Sequence, residues 1–188
     1  MAAADGRRWD ERYTPTEPVT AGTPPDALVA ADLVDIVPTR GRALDVACGL
    51  GASSIWLAER GMSVLAVDVS GEAVRRLELA SVTARISDRV DARLVDLDDG
   101  LPDGPFDVIV CQRFRDPRLY DAFVDRLSDD GVLVVTVLSA VGAGSPGEFH
   151  APQGELTAAF TRPDLDLVFD SEADGQASII ARSRTSEV

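Results

Sequence analysis

The strongest constraint in this chain is a short glycine turn set between two strand-like runs, each of which carries a carboxylate. Residues 43–47 read Ala-Leu-Asp-Val-Ala, Gly49 and Gly51 follow almost at once, and the next apolar run, 64–67, ends against Asp68. Glycines at that point let the backbone turn tightly and let a ligand approach it, at the carboxyl edge of the strands where doubly wound sheets bind their ligands.

Strand-type and helical segments alternate from residue 27 onward, the pattern of a parallel sheet covered by helices on both faces. A leading helix is expected over 27–37, ending at Pro38, and a second over 52–60, closed by Gly61. A third runs over 71–79 behind Ser70 as its cap. Further strands are expected at 92–95 and 106–111, then a helix over 117–127, an Asp-Asp-Gly turn at 129–131 and a β-branched strand over 132–138. A short helix near 153–160 precedes two last strands, 166–169 and 177–181, which the Asp174-Gly175 turn joins as a hairpin. Residues 1–25 are rich in Pro, Thr, Gly and charge without an apolar core segment, and read as a flexible arm or lid. Residues 26–188 then form a single domain, the number that a chain of 188 residues supports.

Composition narrows the partners. With 18 basic against 32 acidic residues the net charge is −14, the wrong sign for a surface that meets phosphates, so nucleic acid is excluded as an expected partner. The longest apolar run, 132–138, is far below membrane-spanning length, and the start of the chain carries no secretory pattern; a cytoplasmic protein without a membrane partner is expected, as monomer or homodimer. Two cysteines, Cys48 and Cys111, are too few for a disulfide framework or a Cys-rich metal site, and no metal is expected.

The charge of the turn selects among nucleotide-type ligands. A dinucleotide would bring two phosphates, and its fingerprint Gly-x-Gly-x-x-Gly asks for a third glycine where this chain has Ser54. Asp68 is placed to accept both hydroxyls of a ribose, and Asp45 suits an ammonium. S-adenosylmethionine carries an ammonium and a sulfonium but no phosphate, which fits an acidic, glycine-lined pocket better.

The runs 44–52 (Leu-Asp-Val-Ala-Cys-Gly-Leu-Gly-Ala), 55–61 (Ile-Trp-Leu-Ala-Glu-Arg-Gly) and 64–70 (Val-Leu-Ala-Val-Asp-Val-Ser) resemble class I S-adenosylmethionine-dependent methyltransferases, closest to the small tellurite-resistance-type group. The likeness continues through 106–110, 127–133 and 153–156. It implies a Rossmann-like α/β fold, a doubly wound, mostly parallel seven-stranded sheet of order 3-2-1-4-5-7-6 with an antiparallel terminal hairpin. It also implies S-adenosylmethionine as cofactor, S-adenosylhomocysteine as product and a small-molecule methyl acceptor. Asp45, Ala47, Cys48, Gly49 and Gly51 would line the methionine end, Asp68 the ribose, and Val69 the adenine; Asp96 with Leu97 would face the adenine amino group. Cys111 would face the methyl donor, with Gln112, Arg113 and Phe114 on the acceptor side. The family's usual glycine is replaced here by Ala47, which narrows the loop.

Where the acceptor must lose a proton, His150 is the first candidate catalytic base and Tyr13 the second. Tyr13 ends the run Trp-Asp-Glu-Arg-Tyr at 9–13, which resembles the opening of related enzymes whose arm folds over the cofactor. Trp56 reads as core. The alternative function is a protein that binds S-adenosylmethionine or S-adenosylhomocysteine without catalysis, as a sensor or partner subunit.

Overall fold

The computed structural model describes residues 2–185, and the side chains from Asp5 on. The chain divides into two compact units: residues up to Pro24 together with Pro38–Pro102, and Pro25–Val37 together with the residues from Asp103 on.

The first unit holds α1 (Ala2–Tyr13), β1 (Arg42–Val46), α3 (Ala52–Glu59), β2 (Ser63–Asp68), α4 (Gly71–Thr83) and β3 (Val90–Leu94), while α2 (Asp26–Ala30) belongs to the second. β1 pairs in parallel with β2, and β2 in parallel with β3. Leu44, Val46, Ile55, Leu57, Met62, Val67 and Leu77 are fully buried between the strands and the helices that return over them. Apart from Asp45, the apolar interiors of β1 and β2 are what parallel strands covered on both faces require.

The second unit adds β4 (Phe106–Gln112), α5 (Tyr120–Asp125), β5 (Leu127–Leu138), α6 (Glu155–Phe160), β6 (Leu165–Ala173) and β7 (Gln176–Ser183). β4 and β5 are parallel; β7 runs antiparallel to both β5 and β6. Phe106, Ile109, Phe123, Leu133, Phe160 and Ile180 are its buried centre. The strand order is β3-β2-β1-β4-β5-β7-β6, the Rossmann-like arrangement expected, and Asp174 and Gly175, both with positive φ, close the β6–β7 hairpin. No described helix is long and apolar enough to cross a membrane.

Four elements depart from the expected boundaries. The leading helix stops at Ala30, because Asp32 turns left-handed (φ 55) and the Asp32 and Leu33 amides donate back to Val29 and Leu28. That is a Schellman ending. α4 runs past residue 79 to Thr83 and ends the same way, with Arg85 (φ 60) in the left-handed position and the Arg85 and Ile86 amides donating to Val82 and Ser81. β5 starts at Leu127, so the Asp-Asp-Gly segment is a bulge inside the strand rather than a turn before it. Phe106 pairs with Leu127 and Val108 with Val132, Asp130 takes φ 59, and the Ser183 hydroxyl donates to the Ser128 carbonyl at 2.5 Å while accepting from the Gly131 amide at 3.0 Å. The 117–127 helix likewise resolves into a 3₁₀ turn, Pro117–Leu119, followed by α5. In β6 the register to β7 also shifts, between Leu167 and Phe169.

α3 ends in the Schellman geometry on a glycine. Gly61 has φ 111, and a Cβ there would stand 2.3 Å from the Thr39 carbonyl oxygen. Backbone cannot yield as a side chain can, so Gly61→Ala should lower unfolding stability by about 2–3 kcal/mol in urea denaturation, combining left-handed strain with the clash. A loss below ~0.5 kcal/mol would show that the α3–β2 turn relaxes freely.

Candidate cofactor site

The site grows from the end of β1. Ala47, Gly49 and Gly51 all have positive φ (52, 52 and 81), which coils the backbone into a tight turn between β1 and α3. The parallel register brings this turn over the end of β2, where the Cys48 amide donates to the Val67 carbonyl at 2.9 Å. Asp68, the last residue of β2, then fastens it. One carboxylate oxygen accepts from the Gly49 amide at 2.8 Å and the other from the Ser70 amide at 2.9 Å. Burial pushes the Asp68 carboxyl upward against the pull of those amides. The expected ribose-facing role is therefore left to its remaining lone pairs, since each oxygen already holds one backbone donor.

Asp45 lies deeper, only 2% exposed, and accepts the Ser54 hydroxyl at 2.5 Å. Burial, reinforced by the Asp68 charge, raises its carboxyl to about 7 despite that bond. Ser54, which stands where a dinucleotide fingerprint has glycine, is thus the partner of the buried acid. Cys48 is half-buried with its thiol pushed up by burial and by Asp45 and Asp68.

α1 lies over this turn. Tyr13 is half-buried, and its hydroxyl oxygen is 2.9 Å from where a Cβ on Gly49 would sit, so only glycine leaves room for it. Burial, with Asp68 and Cys48 nearby, drives the phenol well above its ordinary range. It stays protonated at neutral pH and presents a donor. Trp9 stacks on Tyr13 with ring centroids 5.6 Å apart. Asp10 accepts from the Ser70 hydroxyl at 2.5 Å and from the Glu72 amide at 3.0 Å, so it caps α4 from another element, and these bonds lower its carboxyl. The Val69 carbonyl packs 3.0 Å from a Cβ position on Gly6. Asp96 is half-buried and accepts from the Asp98 amide at 3.0 Å, capping the 3₁₀ turn Leu97–Asp99, and Leu97 is buried.

In the second unit, β4 ends with Cys111, buried, and Gln112, whose buried amide nitrogen has no hydrogen-bond partner among the described residues. Arg113 is exposed with φ 60, and its amide donates to Thr136 at 2.7 Å. Phe114 is half-buried, its carbonyl accepting from the Cys111 thiol at 3.4 Å. Arg115 forks onto Glu155 at 2.8 and 2.5 Å, and Tyr120 donates to the same carboxylate at 2.8 Å, tying this loop to α6. His150 accepts the Gly147 amide on Nδ1 at 2.9 Å. Its neutral form therefore carries the ring proton on Nε2.

Sequence reasoning named most of the glycine-turn residues but gave no role to Asp10, Ser54, Glu155 or Tyr120; Arg115, which with Arg113 and Arg118 reads as a basic cluster that could attract an anionic acceptor, is instead paired with Glu155. Asp10 stood in the quoted 9–13 run, which was the available signal; the others are fixed by pairings that no local pattern carries.

The donor set fits a cationic nucleoside: a left-handed turn, two carboxylates beside it and no basic side chain among the residues that form the turn. Residues 43–131 match the methyltransferase-domain family model. A ubiquinone biosynthesis O-methyltransferase of Xylella fastidiosa is 32% identical over 140 residues, covering 70% of this chain and 54% of that protein. One of Xanthomonas axonopodis is 32% identical over 150 residues, covering 75% and 60%. The chain thus spans a little over half the length of these relatives. Among solved structures, TehB from Haemophilus influenzae superposes with a TM-score of 0.71 at 19% identity, covering 85% of this chain and 62% of that one. Geranyl diphosphate C-methyltransferase from Streptomyces coelicolor superposes at 0.72 with 14% identity, covering 98% of both chains.

The raised Asp45 carboxyl has a consequence for stability. A folded value near 7 against an ordinary 3.8 favours the protonated form in the folded state, so this contribution is complete below about pH 4 and is lost as pH rises through about 7. Asp45→Asn, which still accepts from Ser54 and cannot ionise, should be more stable than wild type by about 2 kcal/mol at pH 8.5, the gap shrinking below pH 6. Thermal unfolding across that range checks it. A gap that does not vary with pH would mean Asp45 titrates normally.

Proposed function

We propose, from the match of residues 43–131 to the methyltransferase-domain family and from the strand order, that the chain is a class I S-adenosylmethionine-dependent methyltransferase and that it methylates an oxygen of a small-molecule acceptor. The observation that carries the reading is the acid-flanked glycine turn closed by Asp68. The relatives' names, both O-methyltransferases, support oxygen as the atom methylated.

S-adenosylmethionine supplies an electrophilic methyl group on a sulfonium, which leaves as neutral S-adenosylhomocysteine after in-line attack. The protein's part is to bind and orient. Asp68 holds the ribose with the lone pairs that Gly49 and Ser70 leave over, Asp45 faces the ammonium end beneath the turn, and the glycine backbone allows close approach. Val69, Asp96 and Leu97 line the adenine side. Cys111 faces the methyl donor, and Gln112, Arg113 and Phe114 serve the acceptor, with the unsatisfied Gln112 amide donating to its oxygen.

Neither candidate base presents a free basic atom: His150 Nδ1 already accepts from the Gly147 amide, and Tyr13 remains a neutral phenol. The site therefore favours acceptors acidic enough to ionise unaided, such as phenols with electron-withdrawing neighbours.

Calorimetric titration should find binding of S-adenosylmethionine and S-adenosylhomocysteine but not of NAD. Because a nearby cation draws Asp45 toward its ionised form, affinity should fall as pH drops below about 7 and level off above it. Asp68→Ala should weaken binding by about ten- to a hundredfold, the loss of hydrogen bonds to a charged group. Formation of S-adenosylhomocysteine with a panel of phenols tests the transfer itself. Binding without turnover on any acceptor would leave a sensor or partner subunit, and no binding at millimolar cofactor would end both readings.

A further inference from the structure

We infer that Arg76, on α4, is the positioning residue that sets the Tyr13 hydroxyl over the glycine turn and so controls how tightly the cofactor's amino-acid end is held; this rests on the cofactor reading above. The guanidinium reaches from α4 to the far end of α1. It donates through one nitrogen to the Tyr13 carbonyl and through the other to the Thr16 carbonyl at 2.5 Å. These carbonyls lie at and just beyond the last residue of α1, where helix carbonyls lack intrahelical partners and the helix dipole is negative. A planar fork suits two diverging carbonyls better than a point charge does.

Arg76 does not act alone on this helix. Asp10, about one turn earlier in α1, is fixed to the start of α4 through Ser70 and Glu72. α1 is therefore clamped to α4 at two places, by an acid of α1 at the beginning of α4 and by a base of α4 at the end of α1. Between them the Trp9–Tyr13 stack leaves the Tyr13 ring little freedom, and its hydroxyl ends against Gly49. Arg76 is the half of the clamp that bonds Tyr13's own backbone. Without it, the Tyr13 carbonyl keeps the Thr16 amide at 3.0 Å but has no bond to α4.

A double-mutant cycle on cofactor affinity separates positioning from general stability. Calorimetry with S-adenosylmethionine should find Arg76→Gln weaker than wild type by about tenfold, roughly the worth of one hydrogen bond to a charged group. Arg76→Lys should recover part of that loss. Tyr13→Phe should weaken binding by itself, and adding Arg76→Gln to it should cost less than about twofold more, because the group that Arg76 places is already gone. Wild-type affinity in Arg76→Gln, or an equal tenfold loss in both backgrounds, overturns the inference. Should Arg76→Gln not fold, Arg76→Lys, which keeps the charge but cannot span both carbonyls, serves in the same cycle: a loss smaller than tenfold that disappears in the Tyr13→Phe background supports the inference, and no loss, or an equal loss in both backgrounds, overturns it. Failure of the wild-type protein to bind defeats the cofactor reading and this inference together, whereas wild-type binding with an indifferent Arg76 defeats the inference alone.

Discussion

The site depends on one carboxylate accepting from two backbone amides. Asp68 closes β2, and its side chain bonds forward to Ser70, which starts α4, and across to Gly49, in the turn that starts α3. A single residue thus fixes the entry of two helices and the shape of the loop between them. In a buried setting an acceptor shared by two amides has little freedom to move, and leaving either amide unpaired would cost about 1–3 kcal/mol. The same residue sits where the fold offers its ligand site. In the proposed function structural and binding demands converge on it, and a substitution there would disturb both.

Around that anchor the charges are graded by depth. Asp45 lies underneath, nearly sealed from solvent and held by Ser54, while Asp10 sits toward the surface and is pulled down by its donors. Asp68 stands between them. Three carboxylates at three burial depths give the turn a negative field that water does not fully screen. That field suits a positively charged ligand and disfavours a phosphorylated one.

Much of this could be read from the chain because it rests on local chemistry. The glycine turn, the carboxylate ending the next strand, the Ser70 cap and the Asp174-Gly175 hairpin each follow from what one or two residues prefer. The missed boundaries share a cause. α2 and α4 end on Asp32 and Arg85 in left-handed conformations that glycine usually takes, so the sequence carries no stop signal there. The early start of β5 depends on Ser183, over fifty residues away, bracing the bulge. Residues 1–25 read as a flexible arm because they carry no apolar core segment; the bonds that hold α1 are polar and reach sixty residues along the chain, from Asp10 to Ser70. The acceptor-side residues Gln112 and Arg113 were placed by family likeness, and their backbone, with Arg113 left-handed, was not readable from residue type.

The irregular register of β6 has its own bearing. This strand is one rim of the sheet, and its exposed groups include Asp170 and the ion pair of Asp166 with Arg184. A sheet rim with straight, unpaired backbone invites another chain to add a strand. Here the shift between Leu167 and Phe169 interrupts the ladder, and an incoming strand would also have to bring its own backbone alongside buried-side apolar groups and outward negative charges. A highly acidic protein with such a rim is guarded against edge-to-edge aggregation twice, by geometry at the strand and by repulsion between copies.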